Sequence, residues 1–244
     1  MKKIILLFLT IYTFSFSIRD FNGINWGDSK ENLSILFSNL KKEPSINENV
    51  NIELPFNIRK NRNIVGKQHI AELVSEQIKD GDSIMLDASS TAVYVAKTLL
   101  EQGKKNLTVL TNSVEIIIEL FGAQDWKVLS TGGESREGSF ALVGYQTDRM
   151  LRSYHVDKAI ISAKGIDMNA GLTDSDDLHA NNKRTMLTRA KEKILAVDSS
   201  KFDQVAFAEI GSLDQITTIV TDAKPETRWL QHFDKIGVKC IYPK

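Results

Sequence analysis

Gly81-Asp-Ser-Ile-Met-Leu-Asp-Ala-Ser-Ser-Thr91 decides the fold. Ser83 to Leu86 is an apolar run of strand length. Asp87 to Thr91 is a short polar turn, and Ser90 can cap the helix after it. In that helix Ala92, Val95, Ala96, Leu99 and Leu100 recur at helical spacing and form one apolar stripe. A buried strand feeding an amphipathic helix through a tight turn is the repeating unit of a parallel α/β sheet.

The unit repeats on both sides of this stretch. Upstream, Ile70, Val74 and Ile78 recur every four residues and give a helix that stops at Asp80-Gly81. Downstream, strands are expected at residues 107–110, 127–129, 158–161, 193–197, 217–220 and 238–241. Helices are expected at residues 114–121, 144–153 and 178–190, and one begun by Pro225. The expected fold is therefore α/β, a doubly wound, mostly parallel sheet with helices on both faces, since parallel neighbours need crossover connections.

Residues 1–54 break this pattern and form a separate N-terminal segment, with the domain running from 55 to 244. Met1-Lys2-Lys3 precedes an apolar run at residues 4–16, which resembles the start of a signal peptide. That run is short for a membrane span and no Ala-x-Ala site comes after it. A short helix is expected at residues 30–41 and a polar linker at 43–51. The body beyond the linker reads as cytoplasmic.

Composition narrows the chemistry. Lys+Arg and Asp+Glu both number 31, so the formal net charge is zero and no chain-wide basic surface exists for nucleic acid. The single cysteine, Cys240, excludes an internal disulfide and a cysteine-based zinc site. The four histidines are scattered, and no metal or cofactor is called for. Neither a Walker loop nor a Gly-x-Gly-x-x-Gly fingerprint occurs.

The loops at the strand ends carry the functional reading. Asp87-Ala-Ser-Ser-Thr91, Thr111-Asn-Ser113, Ser130-Thr-Gly-Gly-Glu134, Ser162-Ala-Lys-Gly-Ile-Asp167 and Asp198-Ser-Ser-Lys201 each come directly after a strand. In an open parallel sheet these ends share one edge, where ligands bind in crevices. Any one of these loops could simply cap a helix or make a turn, but five in succession present hydrogen-bonding groups to one place. Ser89-Ser90-Thr91 opens onto a helix N-terminus, which favours an anion and is the expected phosphate seat. Gly132-Gly133 would let backbone approach a ligand. Lys164, Lys183 and Lys201 would supply positive charge, and Asp87 and Asp198 would accept sugar hydroxyls.

Together these strings, with Gly171-Leu-Thr173, Lys183-Arg184, Asp198-Ser-Ser-Lys-Phe202 and Val220-Thr-Asp222, resemble the sensor domain of DeoR-type bacterial transcriptional regulators. Phe56-Asn-Ile-Arg59 and Gly66-Lys67 are similar to that family's entry helix. The resemblance implies a fold like ribose-5-phosphate isomerase, a phosphorylated sugar as effector, a homo-oligomer, and repression of sugar catabolism. It implies an effector pocket of Asp87, Ser89, Ser90, Thr91, Thr111, Asn112, Gly132, Gly133, Lys164, Gly165, Asp198 and Lys201, with no catalytic residues.

The sequence departs from the family pattern twice. Residues 1–54 contain neither the helix-turn-helix recognition segment nor the His-Gly-Gly-Ala hinge, so DNA is a partner only if that part is supplied elsewhere. His179 stands where the family carries a Glu ahead of Lys183-Arg184. The alternative function is a sugar-phosphate isomerase-like enzyme in the same crevice, with Glu134, Asp87 and Lys201 as its chemical groups. A secreted or tethered binding protein rests on residues 4–16 alone.

Overall fold

In a computed structural model, residues 54–243 are described. The apolar run at 4–16, the helix expected at 30–41, the linker at 43–51, the placing of the domain boundary and the expected lack of a helix-turn-helix lie outside these residues or turn on them.

The chain enters through two helices, α1 (Phe56–Asn61) and α2 (Ile64–Ser75). Strand and helix then alternate: β1 (Ser83–Leu86), α3 (Ser90–Glu101), β2 (Thr108–Thr111), α4 (Val114–Glu119) and β3 (Lys127–Ser130). A hairpin, β4 (Glu134–Arg136) and β5 (Ala141–Val143), leads into α5 (Tyr145–Arg152) and β6 (Val156–Ile161). Next come β7 (Gly165–Asp167), β8 (Gly171–Asp174), α6 (Asp177–Thr188) and β9 (Ala190–Ala196). The chain closes with β10 (Ala208–Gly211), β11 (Thr218–Val220), α7 (Thr227–Lys235) and β12 (Lys239–Ile241).

Seven strands form one sheet in the order β12-β11-β9-β6-β1-β2-β3. Every neighbouring pair in it is parallel. The order runs outward in both directions from the β6–β1 pair, which is the doubly wound arrangement expected.

Both faces of this sheet are covered, and the alternation of side chains explains how. Ile84, Leu86, Val109, Ile160, Ile194 and Val220 point to one side, where Phe56, Ile70, Val74, Val95, Leu99 and Ile116 from α1 to α4 close over them. Met85, Leu110, Ala159, Ile161, Leu195 and Ile219 point to the other, against Leu151, Met186, Trp229 and Phe233 from α5 to α7. Strands buried on both faces read as continuous apolar runs, which is why they are legible. Each large side chain buried in this way contributes roughly 1.5–3 kcal/mol.

Several boundaries differ from expectation for local reasons. α2 ends at Ser75, not at Asp80. The Ser75 hydroxyl donates to the Glu72 carbonyl at 2.6 Å, and Gln77 and Ile78 continue in tight turns, with Ile78 still buried. Ser89 rather than Ser90 caps α3, its hydroxyl accepting from Ala92 N at 3.0 Å. Ala190 belongs to β9, which pairs with β6 from its first residue.

Two antiparallel additions are not legible in the sequence. One is a small sheet in the order β10-β8-β7, and the other is the β4–β5 hairpin. Their strands have three or four residues each, too few for a period to register. β10 reaches β8 only across a long sequence gap. The hairpin is tied to α1, where Phe56 N donates to the Gly138 carbonyl at 2.7 Å and the Phe56 and Phe140 ring centroids are 5.6 Å apart.

Candidate functional site

The C-terminal ends of β1, β6 and β9 open onto a cavity of about 310 Å3. Its walls come from three places. Ala88, Ser89, Ser90 and Thr91 follow β1; Ser162, Ala163 and Lys164 follow β6; and Asp198, Ser200 and Lys201 follow β9. Asp174, Ser175, His179 and Lys183 enter from β8 and α6, while Leu54, Arg59, Arg62, Asn63 and Lys67 enter from the α1–α2 region.

The turn after β1 is rigid because its polar groups are paired. Asp87 is 1% exposed. One carboxylate oxygen accepts from Ser89 N at 3.0 Å and the other from Ser162 N at 2.9 Å, which fixes the spacing of the β1 and β6 ends. Lys183 Nζ lies 3.4 Å from Asp87 and also bonds to the buried Asp174 carboxylate. Burial pushes the Asp174 carboxyl up most strongly, but the charge and hydrogen bond of Lys183, with His179 and the Ser175 N–H, together outweigh it and leave the group below the ordinary carboxylate range. With Ser89 as the cap, Ser90 and Thr91 are the first helical residues, and their backbone N–H groups have no acceptor within the helix. Those donors and the positive end of the helix dipole lie at the cavity wall, an arrangement that generally favours anions.

A cationic group lines the same cavity. Lys67 is 4% exposed, and its ammonium donates to the carbonyls of Arg59 and Arg62 at the end of α1. Burial lowers its pKa from 10.5 to about 8; Asp198 raises it, and Lys201, Arg59 and Arg62 lower it further by repulsion. Near neutral pH the ammonium is still charged, so several cations share this wall with one carboxylate. Asn63 sits at φ 46°, accepts from Gly66 N at 3.2 Å and donates to Asp222 at 2.9 Å. The other Asp222 oxygen accepts from Ser199 N at 2.7 Å. Asp222 thereby locks the start of α2 to the turn after β9.

Of the expected site residues, Ser89, Ser90, Thr91, Lys164, Asp198 and Lys201 line the cavity together. Asp87 lies behind its wall. Thr111 is fully buried, donating to the Leu86 carbonyl at 2.7 Å and accepting from Ser113 N, so it holds the β2 turn. Asn112 donates to the Leu142 carbonyl at 3.0 Å and is not part of the lining.

Gly133 and Gly165 are required by the protein's own packing. A Cβ on Gly133, at φ +117°, would stand 2.1 Å from the Thr147 hydroxyl and 2.6 Å from the Val143 carbonyl. One on Gly165 would meet the Gln204 carbonyl at 2.3 Å. Gly132, at φ +61°, is exposed outside the cavity, where its carbonyl accepts from Thr147. Glu134 is exposed on the hairpin and is also absent from the lining.

Reading strand ends alone misses the α1–α2 wall, because Arg62, Asn63 and Lys67 precede the first strand. The basic residues Arg59, Arg62 and Lys67 beside the apolar positions of the entry helices are the available signal. His179 and Lys183 share the inward face of α6, four residues apart.

A family model for the DeoR C terminal sensor domain matches residues 62–223. The chain is 39% identical over 171 residues to the uncharacterized HTH-type transcriptional regulator YulB of Bacillus subtilis (strain 168), covering 70% of this chain and 65% of the relative. It is 29% identical over 180 residues to the glycerol-3-phosphate regulon repressor of Escherichia coli (strain K12), covering 74% and 71%. The matches thus span about two thirds of these relatives' length. Among solved structures, ribose 5-phosphate isomerase a from Methanocaldococcus jannaschii aligns at 20% identity over 56% of this chain and 53% of that one, with a TM-score of 0.41.

Proposed function

The chain belongs to the DeoR sensor-domain family, and from that premise we propose that its cavity takes a phosphorylated sugar as the effector of a DeoR-type repressor of sugar catabolism. The observation that supports this most is the pairing of a helix N-terminus at Ser90 and Thr91 with the Lys67, Arg62 and Lys201 wall in one cavity. An anion satisfies both features, and the Ser162, Ser200 and Asp198 groups between them suit hydroxyls.

The reading is of a sensor rather than an enzyme. Asp174 is held ionised by Lys183, which makes it a poor proton acceptor. Asp198 is engaged by the Ser200 N–H and hydroxyl, and Glu134 stands outside the cavity. The protein would act in the cytoplasm as a homo-oligomer, with DNA as a partner only if a helix-turn-helix is supplied elsewhere.

Thermal-shift measurement against a panel of sugar phosphates tests the proposal. A ligand that binds only the folded state raises the melting temperature, and the rise grows with the logarithm of its concentration above Kd. No stabilisation by any phosphorylated sugar at large excess overturns it, and turnover of one, followed by NMR, would replace it with the isomerase reading.

A further inference from the structure

Asp222 is not part of the cavity lining, yet it bonds to two of the cavity's walls. It stands two residues past β11, the neighbour of β9 in the sheet. One carboxylate oxygen accepts from Asn63 Nδ2 at 2.9 Å, and the other accepts from Ser199 N at 2.7 Å. Asn63 belongs to the lining and lies directly after Arg62. Ser199 directly precedes Ser200 and Lys201, which line the cavity from the β9 turn.

Gly66 supplies the space for this contact. A Cβ there would stand 2.5 Å from the Asp222 oxygen that meets Asn63, and 2.4 Å and 2.6 Å from the two ends of the Asn63 amide. That amide is used at both ends, its oxygen accepting from Gly66 N and its nitrogen donating to Asp222. The two bonds hold Asn63 in the left-handed region at φ 46°, which is uncommon for any residue but glycine.

The walls joined in this way carry like charge. Lys67, on the α1–α2 side, is repelled by Lys201 from the β9 turn as well as by Arg59 and Arg62, with Asp198 as the opposing carboxylate. Repulsion between like charges drives such walls apart toward water. A carboxylate that accepts from a neutral donor on each wall opposes that separation without filling the cavity. An anionic ligand then meets donors already in place, and binding costs less ordering.

We infer that Asp222 is a positioning residue for the cavity. It clasps the α1–α2 wall to the turn after β9 and so sets the opening between Arg62 and Lys67 on one side and Lys201 on the other. The ligand that profits from this rests on the sugar-phosphate reading above, whereas the clasp is a property of the ligand-free domain.

Asp222→Asn and Gly66→Ala test the clasp from its two sides. The first leaves one acceptor oxygen for two donors. The second keeps the carboxylate and pushes it away from Asn63, and alanine suits a helix interior, so this variant is expected to fold. Hydrogen exchange of the ligand-free full chain, read by mass spectrometry, should quicken in both variants over residues 62–68 and 198–202 together. Residues 227–235 of α7 should exchange as in the parent. Calorimetric titration uses fructose 1-phosphate, fructose 6-phosphate, glucose 6-phosphate and inorganic phosphate. Whichever of these binds the parent should bind each variant about tenfold more weakly. That ratio should shrink toward one as salt rises from about 0.02 M to about 0.5 M, because screening weakens the repulsion that the clasp opposes. A merely structural role would leave the ratio independent of salt, and that result overturns the inference. Parent-like exchange at the two segments, or parent-like affinity in a folded variant, also overturns it. If none of the four probes binds the parent, the sugar-phosphate reading fails and the exchange result alone decides the clasp.

Discussion

The Lys183 ammonium lies 3.4 Å from the Asp87 carboxylate and ties α6 to the turn after β1. Lys183 also bonds to Asp174, so one cation serves two buried carboxylates. Backbone donors complete the arrangement, from Ser89 and Ser162 to Asp87 and from Ser175 to Asp174 at 2.8 Å. The strength of this cluster comes from the expense of breaking it rather than from the ion pairs themselves.

Lys183→Met therefore leaves two carboxylates buried without their cation. It is expected to destabilise the domain by about 3–5 kcal/mol, the range for removing one partner of a buried pair. Urea denaturation at neutral pH measures this. In the parent, Asp174 has a lowered pKa in the folded state, so its contribution is present above the ordinary carboxylate range and is lost as pH falls through the lower folded value. In the variant that acid loss should diminish or reverse. An unchanged acid profile would show that Lys183 does not hold Asp174 ionised.

Lys67 predicts a pH dependence of opposite origin. Its folded pKa of about 8 lies below the ordinary 10.5, so between these values the unfolded chain holds more protons than the folded one. Stability of the ligand-free domain should rise with pH across that window. Affinity for a phosphorylated ligand should fall across it, by about tenfold for each unit above pH 8 if the charged form is required. Titrations at pH 7 and pH 9 decide it, and Lys67→Arg should flatten the decline.

Gly133→Ala separates packing from ligand contact. The added Cβ would strike the Thr147 hydroxyl and the Val143 carbonyl, and the φ of +117° is unfavourable for any side chain. A loss of more than about 1 kcal/mol is expected. In the fraction that remains folded, ligand affinity should be unchanged. A selective loss of affinity with full stability would return Gly133 to the binding surface.

Neighbouring serines should divide two roles. Ser89→Ala removes the cap of α3 and should lower stability by about 1 kcal/mol. Ser90→Ala leaves the cap and the backbone donors in place and removes only a hydroxyl at the cavity wall, so it should lower anion affinity modestly with little change in melting temperature. Equal effects of both on stability would argue against Ser90 as part of the seat.

The parallel sheet is legible because each central strand is buried on both faces and each helix carries an apolar stripe, as Ile84 to Leu86 and Val95 to Leu99 show. The helix start at the cavity is legible because a serine cluster sits between such a strand and such a helix. The antiparallel strands are not, since Gly165–Asp167 and Ala208–Gly211 owe their conformation to partners distant in sequence.

By itself, the sequence determined that an α/β edge would carry small hydroxyl and carboxylate residues, with Ser89 to Thr91 at a helix start. Those features depend on neighbours along the chain. The tertiary structure alone decided which of them face the cavity. It turned Asp87 and Thr111 inward to brace the turns, assigned Gly133 and Gly165 to close packing, and brought Arg62 and Lys67 from before the first strand to the cavity wall. The physical reason is that a side chain's pairing is set by whatever the fold places within hydrogen-bond reach, and in this cavity those partners come from opposite ends of the domain.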